Sequence, residues 1–183
     1  MRVISGTAGG RKLRTLKGAE TRPTSDRVRE ALFSSIAELV DGATVLDLYA
    51  GSGALGIEAL SRGASHATFV ERNSAAVKVI EWNLEELGLK PRAAVIQAEA
   101  AVFVRGPSVK SYDLVLIDPP YSLGLPSEVL EGLLGHLNQD ALVVVEASSR
   151  LGEVATPEGY LLGHRKKYGD TMLVFMNPFG PKP

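Results

Sequence analysis

The 183-residue chain contains no cysteine. Disulfides, thiolate metal sites and cysteine nucleophiles are therefore excluded. The absence fits a reducing compartment, and it fits avoidance of oxidisable side chains in a hot habitat equally well. Long apolar runs are missing too. No uninterrupted stretch approaches the ~20 residues that span a bilayer, and the amino terminus has no apolar signal region. The expectation is a soluble, cytoplasmic chain. Histidine is scarce: His66, His136 and His164 are scattered, so no metal is expected, nor a histidine-based triad, and each reads as a surface or packing residue. Repeats and low-complexity segments are absent. The length suits a single domain that can bury a sizeable core.

The net charge of −1 conceals an asymmetry. Residues 1–30 hold eight basic side chains (Arg2, Arg11, Lys12, Arg14, Lys17, Arg22, Arg27, Arg29) against Glu20, Asp26 and Glu30, a balance of +5. The rest of the chain sums to −6. A basic arm on an acidic body suggests a polyanionic partner met by one end. A solvated hairpin with no partner explains the charge equally well, and charge alone leaves both open. Segments 2–5 and 11–14, joined by Gly6-Thr7-Ala8-Gly9-Gly10, read as a basic β-hairpin. Residues 1–22 form an extension on this reading, and 23–183 form the main domain. Thr24 is a candidate cap for a helix with Val28, Leu32, Ile36 and Leu39 on one face and Asp26 in its first turn.

From residue 43 a regular alternation begins. Strands are expected at 44–49, 67–71, 93–97, 113–117 and 141–146, with helices at 54–62, 74–87, 99–104 and 127–137. Asn73 is suited to cap the second of these helices and Gly88 to end it. Leu114 to Ile117 and Val143 to Val145 are continuous apolar runs, as in strands covered on both faces. This pattern predicts a doubly wound, mostly parallel sheet. The tail differs: 160–165 and 171–176, joined by Lys166 to Asp170, read as a hairpin. Tyr168 and Asp170 either contact a ligand or close its turn, and closing the turn is the preferred reading.

Val45 to Gly56 (VLDLYAGSGALG) is a strand, a glycine loop and a helix start. Gly51 and Gly53 permit positive φ and close approach, and Gly56 permits tight packing. A side chain at Gly53 is expected to obstruct a ligand's path. Taken alone the loop matches a dinucleotide fingerprint, a weak motif. Asp47 argues against a diphosphate, which it would repel, and for a ligand with an ammonium group. Glu71 ends the next strand, where a carboxylate accepts ribose hydroxyls. Ammonium plus ribose without phosphate describes S-adenosylmethionine. A second role, capping the loop from below, stays open for Asp47. Glu99-Ala100 lies at the same rim, with solvated surface and adenine contact equal readings for Glu99.

The strand ending at Ile117 runs into Asp118-Pro119-Pro120-Tyr121. Neither proline can donate to a ladder, so the tip is stiff. In a doubly wound sheet it faces the ligand crevice at the switch point. An exocyclic amine on a nucleobase is a poor nucleophile because its lone pair is delocalised. If the Asp118 carboxylate and the Pro119 carbonyl each accept one N–H, the lone pair is aimed at an electrophile. Tyr121 offers a stacking face and Pro120 fixes the backbone.

The Asp-Pro-Pro-aromatic tip paired with the Asp47 to Gly56 loop resembles the amino-group methyltransferases. More narrowly, Gly9 to Leu13, Thr21 to Phe33, Asp47 to Gly56, Asp118 to Tyr121 and Lys166 to Thr171 resemble the RsmD family, over nearly the whole chain. The resemblance implies a Rossmann-like α/β methyltransferase fold: a seven-stranded, mostly parallel sheet with an antiparallel carboxy-terminal hairpin strand. It implies S-adenosylmethionine as cofactor and small-subunit (16S) ribosomal RNA as partner, with transfer to the N2 amine of a guanine of the guanine-966 type, on naked RNA or an assembling particle. Asp118, Pro119, Pro120 and Tyr121 then carry over as catalytic. Asp47, Tyr49, Gly51, Ser52, Gly53, Glu71, Arg72, Glu99 and Ala100 carry over as cofactor contacts. Arg11, Lys12, Arg14, Arg22 and Arg27 are assigned to RNA, and a monomer is expected. The family often has phenylalanine at the position of Tyr49 and aspartate at that of Glu99. Three competitors remain: a nucleic-acid adenine-N6 methyltransferase, a protein-glutamine methyltransferase, and a non-catalytic RNA-binding module. The first usually carries a target-reading domain for which this chain is too short. The second typically has asparagine at the Asp118 position and lacks such an arm. The third leaves Asp47, Glu71 and Asp118 converging without purpose.

Overall fold

The computed structural model describes residues 1–16, 26–107, 111–120, 126–150 and 156–178. Five strands run parallel: β1 (Thr44–Leu48), β2 (His66–Glu71), β3 (Ala93–Gln97), β4 (Tyr112–Ile117) and β5 (Leu137–Ser148). β6 (Tyr160–Tyr168) and β7 (Thr171–Pro178) form a hairpin, and β7 inserts antiparallel between β5 and β6. The order is β3-β2-β1-β4-β5-β7-β6. The chain winds outward from β1 to β3 and then returns to place β4 on the other side of β1. The crevice of the fold therefore opens between the carboxyl ends of β1 and β4. This is the doubly wound, mostly parallel sheet predicted from the sequence pattern, with the antiparallel carboxy-terminal hairpin strand that the family resemblance implies.

The central strands are buried on both faces, which is why they read as unbroken apolar runs. On one face pack α1 (Asp26–Ser35), α2 (Ala37–Val40), α3 (Ala54–Ser61) and α4 (Ser74–Glu86); on the other pack α5 (Ala100–Arg105) and α6 (Ser127–Leu133). The Asn73 carboxamide oxygen caps α4 by accepting from Ala75 N at 2.9 Å. Gly88 ends α4 with φ +67, its N–H reaching the Glu85 carbonyl while Leu89 N reaches Leu84.

Three local expectations need correction. The first helix breaks at Ile36 (φ −120), after the Ser35 hydroxyl donates back to the Ala31 carbonyl, a contact that bends helices. Val28, Leu32 and Ile36 are buried as expected, but the break rotates Leu39 outward and Val40 takes the buried place. The proposed Thr24 cap lies outside the described residues. The helix expected over 127–137 stops at Leu133, continues as one 3-10 turn, and yields to β5 from Leu137. Gly135 and the polar run Asn138-Gln139-Asp140 offer no apolar face to extend it. In the tail, the strands run on to leave a two-residue turn, Gly169-Asp170, with Gly169 at φ +61. That is the tight hairpin connection that positive φ at its first position permits.

The amino-terminal segment pairs antiparallel around a single Arg2–Lys12 bridge, with Val3 N bonded to the Arg11 carbonyl and Gly10 N to that of Val3. It does not project. Val3, Ala8 and Leu13 are buried in the core beneath it. Its limbs lie between α3 and α4, where Ile4 N and Ser5 N donate to the Glu58 carboxylate and Ala8 N donates to the Ser61 hydroxyl. Because Ser61 ends α3, the glycine turn points away from the ligand rim and the free ends point toward it. Arg29 does not add to the arm's surface charge, since it is wholly buried against Glu58.

Candidate active site

The loop after β1 is shaped by backbone before any side chain acts. Tyr49 adopts φ +60, rare for a bulky residue, followed by Gly51 at +56 and Gly53 at +79. The turn is held by Ala50 N to the Val70 carbonyl (3.1 Å) and Gly53 N to the Ala50 carbonyl (2.7 Å). A side chain built on Gly51 meets nothing nearer than the Tyr49 carbonyl at 3.9 Å, so this part of the loop faces open space. Gly53 differs from expectation. Its substituent would point inward, 3.3 Å from Ile57 and Ile80, so a larger residue there disturbs the loop from below and does not obstruct the crevice. Gly56 has the packing role read from the sequence: a β-carbon would lie 2.3 Å from the Phe69 ring.

Two carboxylates hold this loop. Glu71 accepts Gly51 N on one oxygen (2.9 Å) and Asn73 N on the other (2.8 Å), tying the ends of β1 and β2 together. Asp47 is buried beneath the loop and accepts Gly56 N at 2.8 Å. It therefore does cap the start of α3 from below. Burial pushes its carboxyl well above the usual range; the Gly56 hydrogen bond opposes this, and the charges of Asp118 and Glu71 add to it. The charges of Glu71 and Asp118 thus reach Asp47 from the ends of β2 and β4. A cationic ligand at this rim would relieve that repulsion.

Asp118 follows β4 directly. It is half-buried, its N–H faces the Leu48 carbonyl at 3.4 Å, and it stands beside β1 at the switch point. Pro119 is buried and Pro120 exposed; Tyr121 lies outside the described residues. At the far end of the rim, Arg72 and Glu99 form an exposed pair at 3.9 Å, and Ala100 is buried at the start of α5. Tyr49 packs near them: burial pushes its phenol up, Arg72 lowers it and Glu99 raises it. Among the described residues no group of acids or histidines is arranged to hold a metal ion.

The basic residues of the arm are held in different states. Arg11 donates to the Glu86 carbonyl at the carboxyl end of α4 (2.5 Å), where a cation suits the helix dipole. Lys12 and Arg27 are exposed, and Arg22 lies outside the described residues. The Arg14 guanidinium lies 3.5 Å from the centroid of the Trp82 ring.

One residue escaped the sequence reading. Asn83 is buried on α4; its carboxamide oxygen accepts Arg14 N (2.9 Å), and its amide donates to the Arg14 carbonyl (3.2 Å) and to the Ser52 carbonyl (3.0 Å). It joins the arm to the glycine loop. A polar residue amid an apolar helix face was the available signal, since buried amides are retained where their hydrogen bonds are satisfied.

A family model described as "Conserved hypothetical protein 95" matches residues 1–177. The chain is 38% identical over 169 residues to the ribosomal RNA small subunit methyltransferase D of Escherichia coli (strain K12), covering 91% of this chain and 84% of that protein. It is 35% identical over 173 residues to the protein of the same name from Haemophilus influenzae, covering 92% and 89%. Among solved structures, the yhhF protein of Escherichia coli superposes with a TM-score of 0.88 at 33% identity, covering 98% of both chains.

Proposed function

The chain belongs to the RsmD family of ribosomal RNA small subunit methyltransferases, and from that membership we propose that it methylates the exocyclic N2 amine of a guanine in small-subunit ribosomal RNA, using S-adenosylmethionine. The observation that carries this reading is the position of Asp118, a carboxylate set on a proline-stiffened tip beside the acid-lined glycine loop. The residues fit such a cofactor. Glu71 ends β2 level with Gly51, the loop is open above Gly51, and the rim is anionic without a phosphate-binding cation in the loop itself. Glu71, Asp47, the loop from Tyr49 to Gly53, and the Arg72, Glu99 and Ala100 corner would hold it. When bound, it supplies an electrophilic methyl group on a cationic sulfur.

The chain's own residues do the rest. Asp118 and the Pro119 carbonyl accept the two N–H groups of the guanine amine, which turns its lone pair toward the methyl. Tyr121 gives the base a stacking surface. As the N–C bond forms, the methyl–sulfur bond would break and the sulfur leave as a neutral thioether; the amine becomes cationic, and Asp118 offsets that charge until the proton passes to water. The base must be unpaired or flipped out, because the tip cannot reach an amine inside a stack. Arg11, Lys12, Arg14, Arg22 and Arg27 contact the RNA backbone.

The test is the identity of the product. Unmethylated small-subunit RNA or particles treated with enzyme and cofactor should release N2-methylguanosine on digestion, read by mass analysis. N6-methyladenosine would reassign the chemistry to adenine, and no methylated nucleoside would refute enzymatic action on this RNA.

Cofactor affinity tests the rim separately. Glu71→Ala should weaken S-adenosylmethionine binding by about 1–3 kcal/mol, the range for a lost charge-assisted hydrogen bond. Calorimetry reads it directly. An unchanged affinity would leave Glu71 with only its loop-holding role.

A further inference from the structure

We infer that the β6–β7 end of the sheet is a second contact surface for the RNA backbone, on the flank of the Asp118 tip opposite the arm; this rests on the reading of the chain as an RNA methyltransferase. The register places it. Ile117 pairs with Val145, so counting on from that pair puts Pro120 level with Ser148. Ser148 pairs with Thr171, and Thr171 with Tyr168. The Gly169-Asp170 turn therefore rises at the same rim as the catalytic tip. It is bound there by Ser149 N to the Asp170 carbonyl (2.8 Å) and Ser149 Oγ to that of Gly169 (3.2 Å). β6 stands three inter-strand spacings from β4, about 14 Å at ~4.8 Å each.

The charge there is positive. β6 carries Arg165, Lys166 and Lys167 and no acid. Arg150, just past β5, is exposed beside the turn, as is Lys167. Lys166 is already engaged, donating to Ser35 Oγ at 2.7 Å. The acids nearby are Glu146, which is buried, and Asp170 in the turn. The rim is thus weighted by sign: Asp47, Glu71 and Glu99, the last paired with Arg72, lie over β1 to β3, where a cationic cofactor would sit; Asp118 stands at β4; and Arg150 and Lys167, with Asp170 between them in the turn, lie over β5 and β6.

Lysines on an edge strand also discourage pairing between molecules. That explanation fails for β6 as a whole. Its lower half exposes Leu161 and Leu162, 53% and 39% accessible, and carries no charged residue of its own. The cations are gathered at the rim end and include Arg150, which is not on the edge strand. Backbone phosphates on either side of a captured base are the polyanion that this placement suits.

The decisive measurement compares three proteins binding unmethylated small-subunit ribosomal RNA across a salt series: wild type, Arg150→Ala/Lys167→Ala, and Arg11→Ala/Lys12→Ala/Arg14→Ala. The double variant should bind RNA more weakly, of the order of tenfold, and its log–log salt slope should fall by about 0.7–0.9 for each lost contact. The triple variant should show a loss of the same kind. S-adenosylmethionine affinity should be unchanged in both, and Arg150→Lys/Lys167→Arg should restore RNA binding. If the double variant keeps wild-type affinity and slope while the triple variant loses both, the β6–β7 surface is not an RNA contact and only this inference fails. If the wild type itself shows no salt-dependent binding, the RNA methyltransferase reading fails with it.

Discussion

Replacing Asp118 by alanine is expected to lower methyl-transfer turnover by about 10²–10³, the cost of losing one preorganised electrostatic partner of a developing charge. The carboxylate sits on a tip whose two prolines leave little freedom, next to the end of β1. In the proposed mechanism its attraction for the amine would grow as the nitrogen gains positive charge, so it would favour the transition state over the bound ground state. Binding of cofactor and RNA should change little. Asp118→Asn keeps one acceptor for the amine but removes the charge, and should fall between alanine and wild type. Single-turnover transfer to unmethylated small-subunit RNA separates chemistry from product release. Undiminished turnover in Asp118→Ala would sink the mechanism, whatever the product.

The largest expected effect on stability lies away from the rim, at Glu58. This side chain is wholly buried on α3, where its carboxylate accepts Ile4 N (2.7 Å), Ser5 N (3.1 Å) and Arg62 Nε (2.7 Å). It also faces Arg29 Nε at 3.8 Å. Arg29 is buried too; its Nη2 donates to the Arg2 carbonyl and to Asp26 (3.0 Å), while Nε and Nη1 have no hydrogen-bond partner among the described residues. Burial lowers the Arg29 pKa, and the charges of Glu58 and Asp26 are what oppose that shift. Glu58→Ala removes the main counter-charge and strands two backbone N–H groups. Breaking a buried pair in this way costs about 3–5 kcal/mol. For a chain of this size that lowers the melting temperature by about 6–20 °C. Faster amide exchange at Ile4 and Ser5 should accompany it, because the arm loses its anchor on α3. A melting temperature within a degree of wild type would show that the network contributes no net stability.

The parts of the fold legible in the sequence are those set by local pattern. The runs at Leu114 to Ile117 and Val143 to Val145 mark buried strands because both faces of each are covered. Asn73 and Gly88 bound α4 through hydrogen bonds made within a few residues of themselves. Gly56 was legible because only glycine allows α3 to lie against Phe69 at that distance. The points that local pattern does not settle share a different cause. Leu39 follows the helical period, but a bend at Ile36 moves it off the face. Gly53 has the right conformation, yet the direction its side chain would take depends on Ile80, 27 positions away. Asp47 was recognised as a carboxylate under the loop, but its bond to Gly56 appears only once strand and helix are in place.

By itself, then, the sequence determined the alternation of strand and helix, the glycine loop, the acid-proline tip and the family, because each is written in residues close together along the chain. Tertiary structure decided which charges are available and which are consumed. Arg29 and Arg14 look alike in a basic segment. One is buried against Glu58, and the other stacks on Trp82 and is held through its backbone to Asn83. Lys167 and Arg150 are distant in sequence from Asp118 and are brought to its rim by the registers of β5, β7 and β6. Burial and proximity are properties of contacts between remote segments, and those contacts exist only after the sheet has closed its order.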